Sequence, residues 1–363
     1  MARYRCGFIN WLFGFAILMS NPIISSSHTT SSPRYWVTGA TGGLGRNLVE
    51  RLCAQLENLF AIGRNTSVGK ALTQLGAQFI PVELTQTTTQ YWQSQFHAND
   101  IVIHCAALSS PWGNYRDFYA INVQVTERLA QAALTCNVRR FVHMSTPSLY
   151  FNFSHQINIR ENTPLPRPVN HYAATKRLAE ERLQIYAQQG LNICILRPRA
   201  IYGAHDNVLV PRILRAYRNG VMPLITGGQA WVDLTYMDNL VDAIDLAAHA
   251  PIDFIAQPIP TYNISNGDPI QLKTVFDALL THVDKAPRYK NIPWHVIHPL
   301  AHVLQAVSAI TRREPIITPY SAGVLAFNQT LCIEKARIEL NYQPRVRTLE
   351  GIERYLKWRT DYG

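Results

Sequence analysis

Tyr172 and Lys176 stand four residues apart in H-Y-A-A-T-K-R-L-A-E-E-R-L, residues 171–183. On a helix that spacing puts both side chains on one face. A phenol beside an ammonium group suits proton transfer to or from a substrate oxygen. Free tyrosine has a pKa of about 10, and a nearby cation favours the phenolate and lowers that value. Lys176 is expected to act in this way on Tyr172. A hydroxyl from Thr146 or Ser145 can hydrogen-bond the same substrate oxygen and fix its position. Asn122 falls among Ile121, Val125, Leu129 and Ala133 at helical spacing. It is either a solvent-facing residue or part of a proton relay, holding a water between Lys176 and solvent. Taken alone, Tyr-x-x-x-Lys recurs by chance, and its bland counterpart is a pair on a solvated helix face.

The elements that must position these side chains begin with Y-W-V-T-G-A-T-G-G-L-G-R-N-L-V, residues 35–49. A short apolar run enters a turn with Gly39, Gly42 and Gly45, and Leu44, Leu48, Val49 and Leu52 then recur at helical spacing. Strand, glycine turn and helix make the first crossover of a dinucleotide-binding fold. Residues without a Cβ let backbone N–H groups approach a pyrophosphate, and the helix start favours the same phosphates. Gly39, Thr41, Gly42, Gly43, Leu44 and Gly45 are therefore the expected phosphate cradle. A second strand, 58–62, ends before Gly63, Arg64 and Asn65. An acid at this point binds the ribose 2′-hydroxyl of NAD, and there is none. Arg64 can instead pair with a 2′-phosphate and stack on adenine, so NADP is the preferred expectation and NAD the other. Its bland reading is a surface arginine. A third strand, 78–82, leads to Glu83 and Leu84 at the expected adenine edge. A fourth, 100–105, ends in Ala106 and Ala107, small enough for a cofactor to lie close. The strand 140–144 delivers Ser145 and Thr146, and 191–196 ends in Arg197 and Pro198. This βα alternation predicts an α/β doubly wound parallel sheet of the Rossmann type. In that setting the Tyr–Lys–Thr set reads as acid–base help for hydride transfer between an alcohol carbon and nicotinamide, with help of this kind contributing roughly 100- to 10,000-fold.

The chain has 363 residues, 47% hydrophobic and 16% charged, with net charge +10. Its Lys and Arg are scattered, so no nucleic-acid partner is expected. Six cysteines form no C-x-x-C pair and fall in apolar runs. No disulfide framework and no metal site are expected, and a reducing setting fits. Residues 1–33 lie outside the fold: Arg3 and Arg5 precede an apolar run, 6–19, and a Ser/Thr-rich linker, 25–32. Three readings fit: a short membrane anchor, a cleaved signal, or a start assigned too early. A soluble nicotinamide cofactor favours the first or third and a cytoplasmic enzyme.

The chain resembles an extended short-chain dehydrogenase/reductase of the NAD-dependent epimerase/dehydratase superfamily. The matching pieces are T-G-A-T-G-G-L-G (38–45), H-C-A-A (104–107), I-N-V-Q-V-T (121–126), S-T-P-S-L-Y (145–150), Y-A-A-T-K (172–176) and L-R-P-R-A-I-Y-G (196–203). V-D-L-T-Y-M-D-N (232–239) and Y-N-I-S-N-G-D-P-I (262–270) match later. The resemblance implies the Tyr, Lys, Ser/Thr and Asn roles above, with Thr146 as the catalytic hydroxyl. It implies a dinucleotide domain over 34–200 and a smaller mixed α/β substrate lobe over 201–363, some of whose segments return to the Rossmann sheet. Relatives are often dimers, so a homodimer is the corresponding expectation.

Nucleotide-sugar epimerases and dehydratases of this family typically place an Arg before the Asp of the later strand motif; here Val232 precedes Asp233. Losing that phosphate ligand removes the main grip on such a substrate. The S-T-P-S and L-R-P…D-N-V-L-V-P-R pieces are similar instead to the 3β-hydroxysteroid dehydrogenase/isomerase branch and to 2-alkyl-3-oxoalkanoate reductases. Both handle apolar alcohols or ketones, so a steroid-like or long-chain lipid substrate is expected. Residues 293–310, P-W-H-V-I-H-P-L-A-H-V-L-Q-A-V-S-A-I, could line an apolar pocket, rest on a membrane surface, or form an ordinary buried helix. An epimerase or dehydratase with tightly bound NAD, and a non-catalytic NADP-sensing protein of the same fold, are the alternatives. Asn341 stands where the family's closing helix has a glycine, a C-cap position that Asn also tolerates.

Overall fold

Seven parallel strands form the central sheet: β1 (Tyr35–Thr38), β2 (Leu59–Gly63), β3 (Gln78–Pro81), β4 (Ile101–His104), β5 (Arg140–Met144), β6 (Ile193–Pro198) and β7 (Thr261–Ile264). Their spatial order is β3-β2-β1-β4-β5-β6-β7. The computed structural model describes residues 32–56, 58–251, 259–283 and 287–362. The apolar run 6–19 lies outside them. Every residue of β1, β4, β5 and β6 is buried, because a parallel sheet is covered on both faces and its strands read as continuous apolar runs.

One face is covered by Leu48, Val49 and Leu52 of helix Gly43–Cys53 and by Leu240, Val241 and Ile244 of helix Met237–His249. The other packs Leu129 and Ala133 of helix Val125–Thr135, Leu183 of helix His171–Gln188, and Trp92. Full burial of such a Leu is worth about 1.5–3 kcal/mol, which is why both layers hold the sheet. Strand order reverses between β1 and β4, and ligands of doubly wound sheets bind in the crevice outside the carboxyl ends at that point. Pairing of Thr38 with His104 brings those two strand ends level.

The smaller lobe carries a four-stranded mixed sheet in the order Ile270–Gln271, Trp231–Val232, Gln329–Leu331, Gln156–Ile159. Two short parallel pairs, Val221–Ile225 with Arg288–Ile292 and Ile201–Tyr202 with Thr235–Tyr236, complete it. The two layers exchange segments across residue 200. Gln156–Ile159 pairs with Gln329–Leu331 in the small sheet, whereas β7 pairs with β6 at the edge of the large one.

Candidate active site

The turn after β1 is shaped by contacts that exclude side chains. Gly39 has φ +70°, and a Cβ there would meet the Ala106 Cα and N at 2.9 Å. A Cβ on Gly45 would come within 2.3 Å of the Gly39 carbonyl oxygen. Gly42 caps helix Gly43–Cys53 with no side-chain hydrogen bond, and no acid occupies the first turn. The opening N–H groups thus lack side-chain acceptors at the positive end of the helix dipole, the donor set a pyrophosphate requires. Thr41 lies over Gly63, where a Cβ would sit 2.6 Å from the Thr41 hydroxyl. Leu44 packs against the core beneath the turn. Asn47 Nδ2 donates to the Gly43 and Ala204 carbonyls, each at 2.8 Å, and so ties the loop after Gly203 to the turn. These residues fit a dinucleotide.

Across the crevice, Asn170 caps helix His171–Gln188 by accepting from the Ala173 N–H at 2.8 Å. This fixes the first helical turn, which carries the half-buried Tyr172. The Thr146 and Ser109 hydroxyls flank its phenol. Burial raises the phenol pKa above its ordinary value, and those two hydroxyls oppose the rise. The expected lowering by Lys176 is therefore corrected. Lys176 is buried and its ammonium points elsewhere, to His143 Nε2 at 2.9 Å and the Met144 carbonyl oxygen at 2.6 Å. Burial brings Lys176 down to about 7, against the pull of Glu180 and Cys105.

Thr146 and Ser145 separate. Thr146 Oγ1 donates to Ser148 Oγ at 3.0 Å, and Ser148 Oγ lies 2.6 Å from the Tyr320 hydroxyl. Ser145 turns away and donates to Glu180, which is bridged to Arg197 in a buried pair. Asn122 is buried in a π-helical turn, Ala120–Gln124, not exposed. Its side chain accepts from the Leu108 N–H at 2.8 Å and donates to the Leu108 carbonyl at 3.2 Å and Thr175 Oγ1 at 3.1 Å. These bonds clamp the loop after β4 to helix His171–Gln188. They do not reach Lys176.

Ala106 and Ala107 follow β4 beside the glycine turn, and Pro198 ends β6 buried. Arg64 projects into solvent and pairs with Glu83 at 3.1 Å. Glu83 also accepts from the Thr85 N–H and hydroxyl at 3.2 and 2.8 Å. The Leu84 side chain is turned into the core. Among the described residues no cluster of ligating side chains could hold a metal ion.

The model of the family described as "NAD dependent epimerase/dehydratase family" matches residues 35–264, from β1 to β7. The chain belongs to that family. It is 36% identical over 330 residues to the uncharacterized protein YbjS of Escherichia coli K12, covering 90% of this chain and 98% of that protein. It is 31% identical to a 2-alkyl-3-oxoalkanoate reductase of Stenotrophomonas maltophilia, covering 88% and 97%. To the mouse sterol-4-alpha-carboxylate 3-dehydrogenase, decarboxylating, it is 27% identical, covering 91% and 93%. Among solved structures, MoeE5 in complex with UDP-glucuronic acid and NAD shares the fold at TM-score 0.70 and 22% identity, covering 90% of this chain and 99% of that one.

Four polar residues of the site had no sequence signal strong enough to find them. Ser148 lies inside the S-T-P-S motif, whose spacing from Thr146 could have suggested a hydroxyl chain. Ser109 and His143 sit in apolar or loop contexts without periodic cues. Tyr320 reaches Ser148 from 172 residues away, and only the fold brings it there.

Proposed function

We propose that the protein is an NAD(P)-dependent oxidoreductase acting on a CH–OH/ketone group of a steroid-like or long-chain lipid substrate. One observation carries the reading: the Tyr172 phenol stands beside the Thr146 hydroxyl on the carboxyl edge of the parallel sheet, the edge that also bears the glycine turn. Tyr172 exchanges the proton of the substrate oxygen, and Thr146 holds that oxygen by a hydrogen bond. Lys176 supplies positive charge behind them. Asn122 fixes the helix that presents Tyr172. When bound, the nicotinamide cofactor supplies or takes up the hydride. Gly39, Gly42, Gly43 and Gly45 receive its pyrophosphate, and Arg64 takes the 2′-phosphate of NADP.

An aromatic wall supports the apolar substrate. Phe151 meets Tyr320 edge-on at 5.4 Å and Phe153 at 5.0 Å, and Trp294 continues it to Phe327 at 4.9 Å. Replacing Tyr172 with Phe tests the mechanism: turnover of an alcohol or ketone should vanish while cofactor affinity survives. Unchanged turnover removes the assignment.

A nucleotide-sugar epimerase or dehydratase is the second reading, favoured by the fold shared with MoeE5. Val232, buried where such enzymes are expected to carry an arginine, weighs against it. Copurified NAD with no consumption of added cofactor would reinstate it. A non-catalytic NADP-sensing protein would require a Tyr–Lys–Thr set without turnover on any ketone.

A further inference from the structure

Arg199 follows β6 directly, at the carboxyl edge of the sheet, and is buried at 6% exposure. Among the described residues no carboxylate lies within ion-pair distance of it. Its Nη1 donates to Gln329 Oε1, and its Nε is buried with no partner. Asp233 is near enough to be felt, but its Oδ2 accepts from the Leu331 N–H at 2.6 Å. Burial raises the Asp233 pKa while Arg199 opposes the rise, and Asp233 Oδ1 is buried with no hydrogen-bond partner among the described residues, so the acid lies near Arg199 without closing on it. A guanidinium cannot shed its proton to escape the cost of burial, and buried charges are ordinarily paired. Among the described residues the site therefore holds a buried guanidinium with an unpartnered Nε and no carboxylate bound to it directly.

That guanidinium is linked to the reacting end of the crevice. Gln329 Nε2 donates to the carbonyl of Pro147, the neighbour of Thr146, at 3.4 Å. Tyr320 lies close enough for its charge state to be felt by both Arg199 and Tyr172. Its hydroxyl joins the Thr146–Ser148 chain. A cationic pole thus lies one tyrosine away from the proton donor. A 3-oxo acid and its 3-hydroxy counterpart have this arrangement, with the reacting carbon two bonds from the carboxylate carbon.

We propose that Arg199, assisted by Tyr320, binds a substrate carboxylate, so that the substrate is a 3-oxo or 3-hydroxy acid with an apolar chain. The proposal rests on the alcohol/ketone reading above and narrows it. In the reducing direction the carbonyl π bond opens, its carbon gains the hydride of NAD(P)H, and its oxygen gains the Tyr172 proton. The products are the 3-hydroxy acid and NAD(P)+, and solvent returns the proton to Tyr172. Two relatives, named for a 3-oxoalkanoate and a sterol-4-alpha-carboxylate, carry a carboxylate in their names.

The test uses the full chain with 3-hydroxydecanoate, its methyl ester and 2-decanol in the oxidising direction, alongside R199Q and R199K. The wild type should favour the acid over the ester in kcat/KM by about tenfold to a hundredfold, the range for a charge-assisted hydrogen bond. R199Q should lower kcat/KM for the acid about tenfold or more beyond its effect on the ester, mainly through KM. R199K should restore part of it. Equal treatment of acid and ester by the wild type, or equal loss on both in R199Q, would make Arg199 a strut to Gln329 and overturn the proposal. Thermal shift of the NADP complex with decanoate gives a readout without turnover. A shift lost in R199Q supports the carboxylate site even if none of the alcohols is oxidised, a result that would instead count against the alcohol/ketone reading. No shift in the wild type overturns the site.

Discussion

Lys176 Nζ lies 2.9 Å from His143 Nε2, in the interior beneath the carboxyl end of β5. Both side chains are buried, and the His143 and His104 rings are 5.4 Å apart. Burial and the Lys176 charge hold His143 well below the ordinary imidazole range, so it is neutral and accepts from the ammonium group. With Lys176 brought down to about 7, the ammonium form is lost as pH rises through neutrality in the free enzyme. The pH profile of kcat/KM, which reports the free enzyme, should therefore fall on its alkaline side near that value. H143L removes an acceptor of the charged form, so the alkaline limb should move to lower pH. A limb that stays put in H143L would show that His143 does not position Lys176.

His104 offers a stability test. Burial, reinforced by Lys176, pushes it down to about 3, and its ring bridges Thr38 Oγ1 at 2.7 Å and Thr126 Oγ1 at 3.0 Å. Between its ordinary value of 6.5 and about 3, the unfolded chain binds a proton that the folded chain refuses. Stability must then be lost as pH falls through that window, with a slope up to about 1.4 kcal/mol per pH unit for one proton. Urea melts of H104N should show a shallower acid slope than wild type. Parallel slopes would show that this ring does not govern the acid limb.

The two hydroxyls after β5 should differ in kind. Thr146 stands beside Tyr172, so T146A should lower kcat by roughly tenfold to a hundredfold, the scale of one lost hydrogen bond to a reacting oxygen, and T146S should recover much of it. Ser145 serves the buried Glu180–Arg197 pair. S145A should therefore lower Tm more than kcat. Steady-state kinetics beside calorimetric melting separates the two, and the reverse pattern would exchange their roles.

Long-range register, more than local pattern, decided what could be read from the chain. The large sheet was legible because β1, β4, β5 and β6 are buried on both faces and leave unbroken apolar runs. Tyr172 and Thr146 were legible because each follows a capped or strand-ended position with its own motif. The partner of Lys176 was not, since His143 sits among core residues and looks like one. An apolar residue after a strand turns either to a ligand or to the core, and the Leu84 side chain joins Trp92 in the core. The small lobe's two-residue strands carry no periodicity at all. Asn341 adopts φ +54°, the left-handed conformation its family position calls for.

Cofactor choice should follow Arg64. Its side chain is 78% exposed and tethered only to Glu83, so a 2′-phosphate can replace the carboxylate without unpacking anything. R64A should lower the NADPH-over-NADH preference by about tenfold or more, consistent with loss of a charge-assisted phosphate contact. Kd values for both cofactors measured by fluorescence titration check this. An unchanged ratio would leave the 2′-phosphate without its assigned ligand.

Helix Trp294–Thr311 should bring the enzyme to a lipid surface. Its eighteen residues include no Asp, Glu, Lys or Arg, and only Ile297, Ala301 and Ser308 are buried. Val296, Leu300, Val303, Val307 and Ile310 recur every three or four residues, exposed from 47% to 83%. A solvent-facing stripe of this kind marks an interaction surface. Arg288 and Lys290 precede it and Arg312 and Arg313 follow it, all exposed, which suits anionic headgroups. Among the described residues no helix is long and apolar enough to cross a membrane; the exposed stripe with its basic flanks suits lying on the surface. The full chain should co-sediment with phosphatidylglycerol vesicles more strongly than with phosphatidylcholine vesicles. The double variant V303E/V307E should bind them about tenfold more weakly, because two carboxylates would have to enter the interface. Both positions are exposed, so the fold should survive, and circular dichroism can verify it. Equal vesicle binding by the variant would move the contact off this helix. A change from dimer to monomer with vesicle binding intact would assign the stripe to a second copy of the chain.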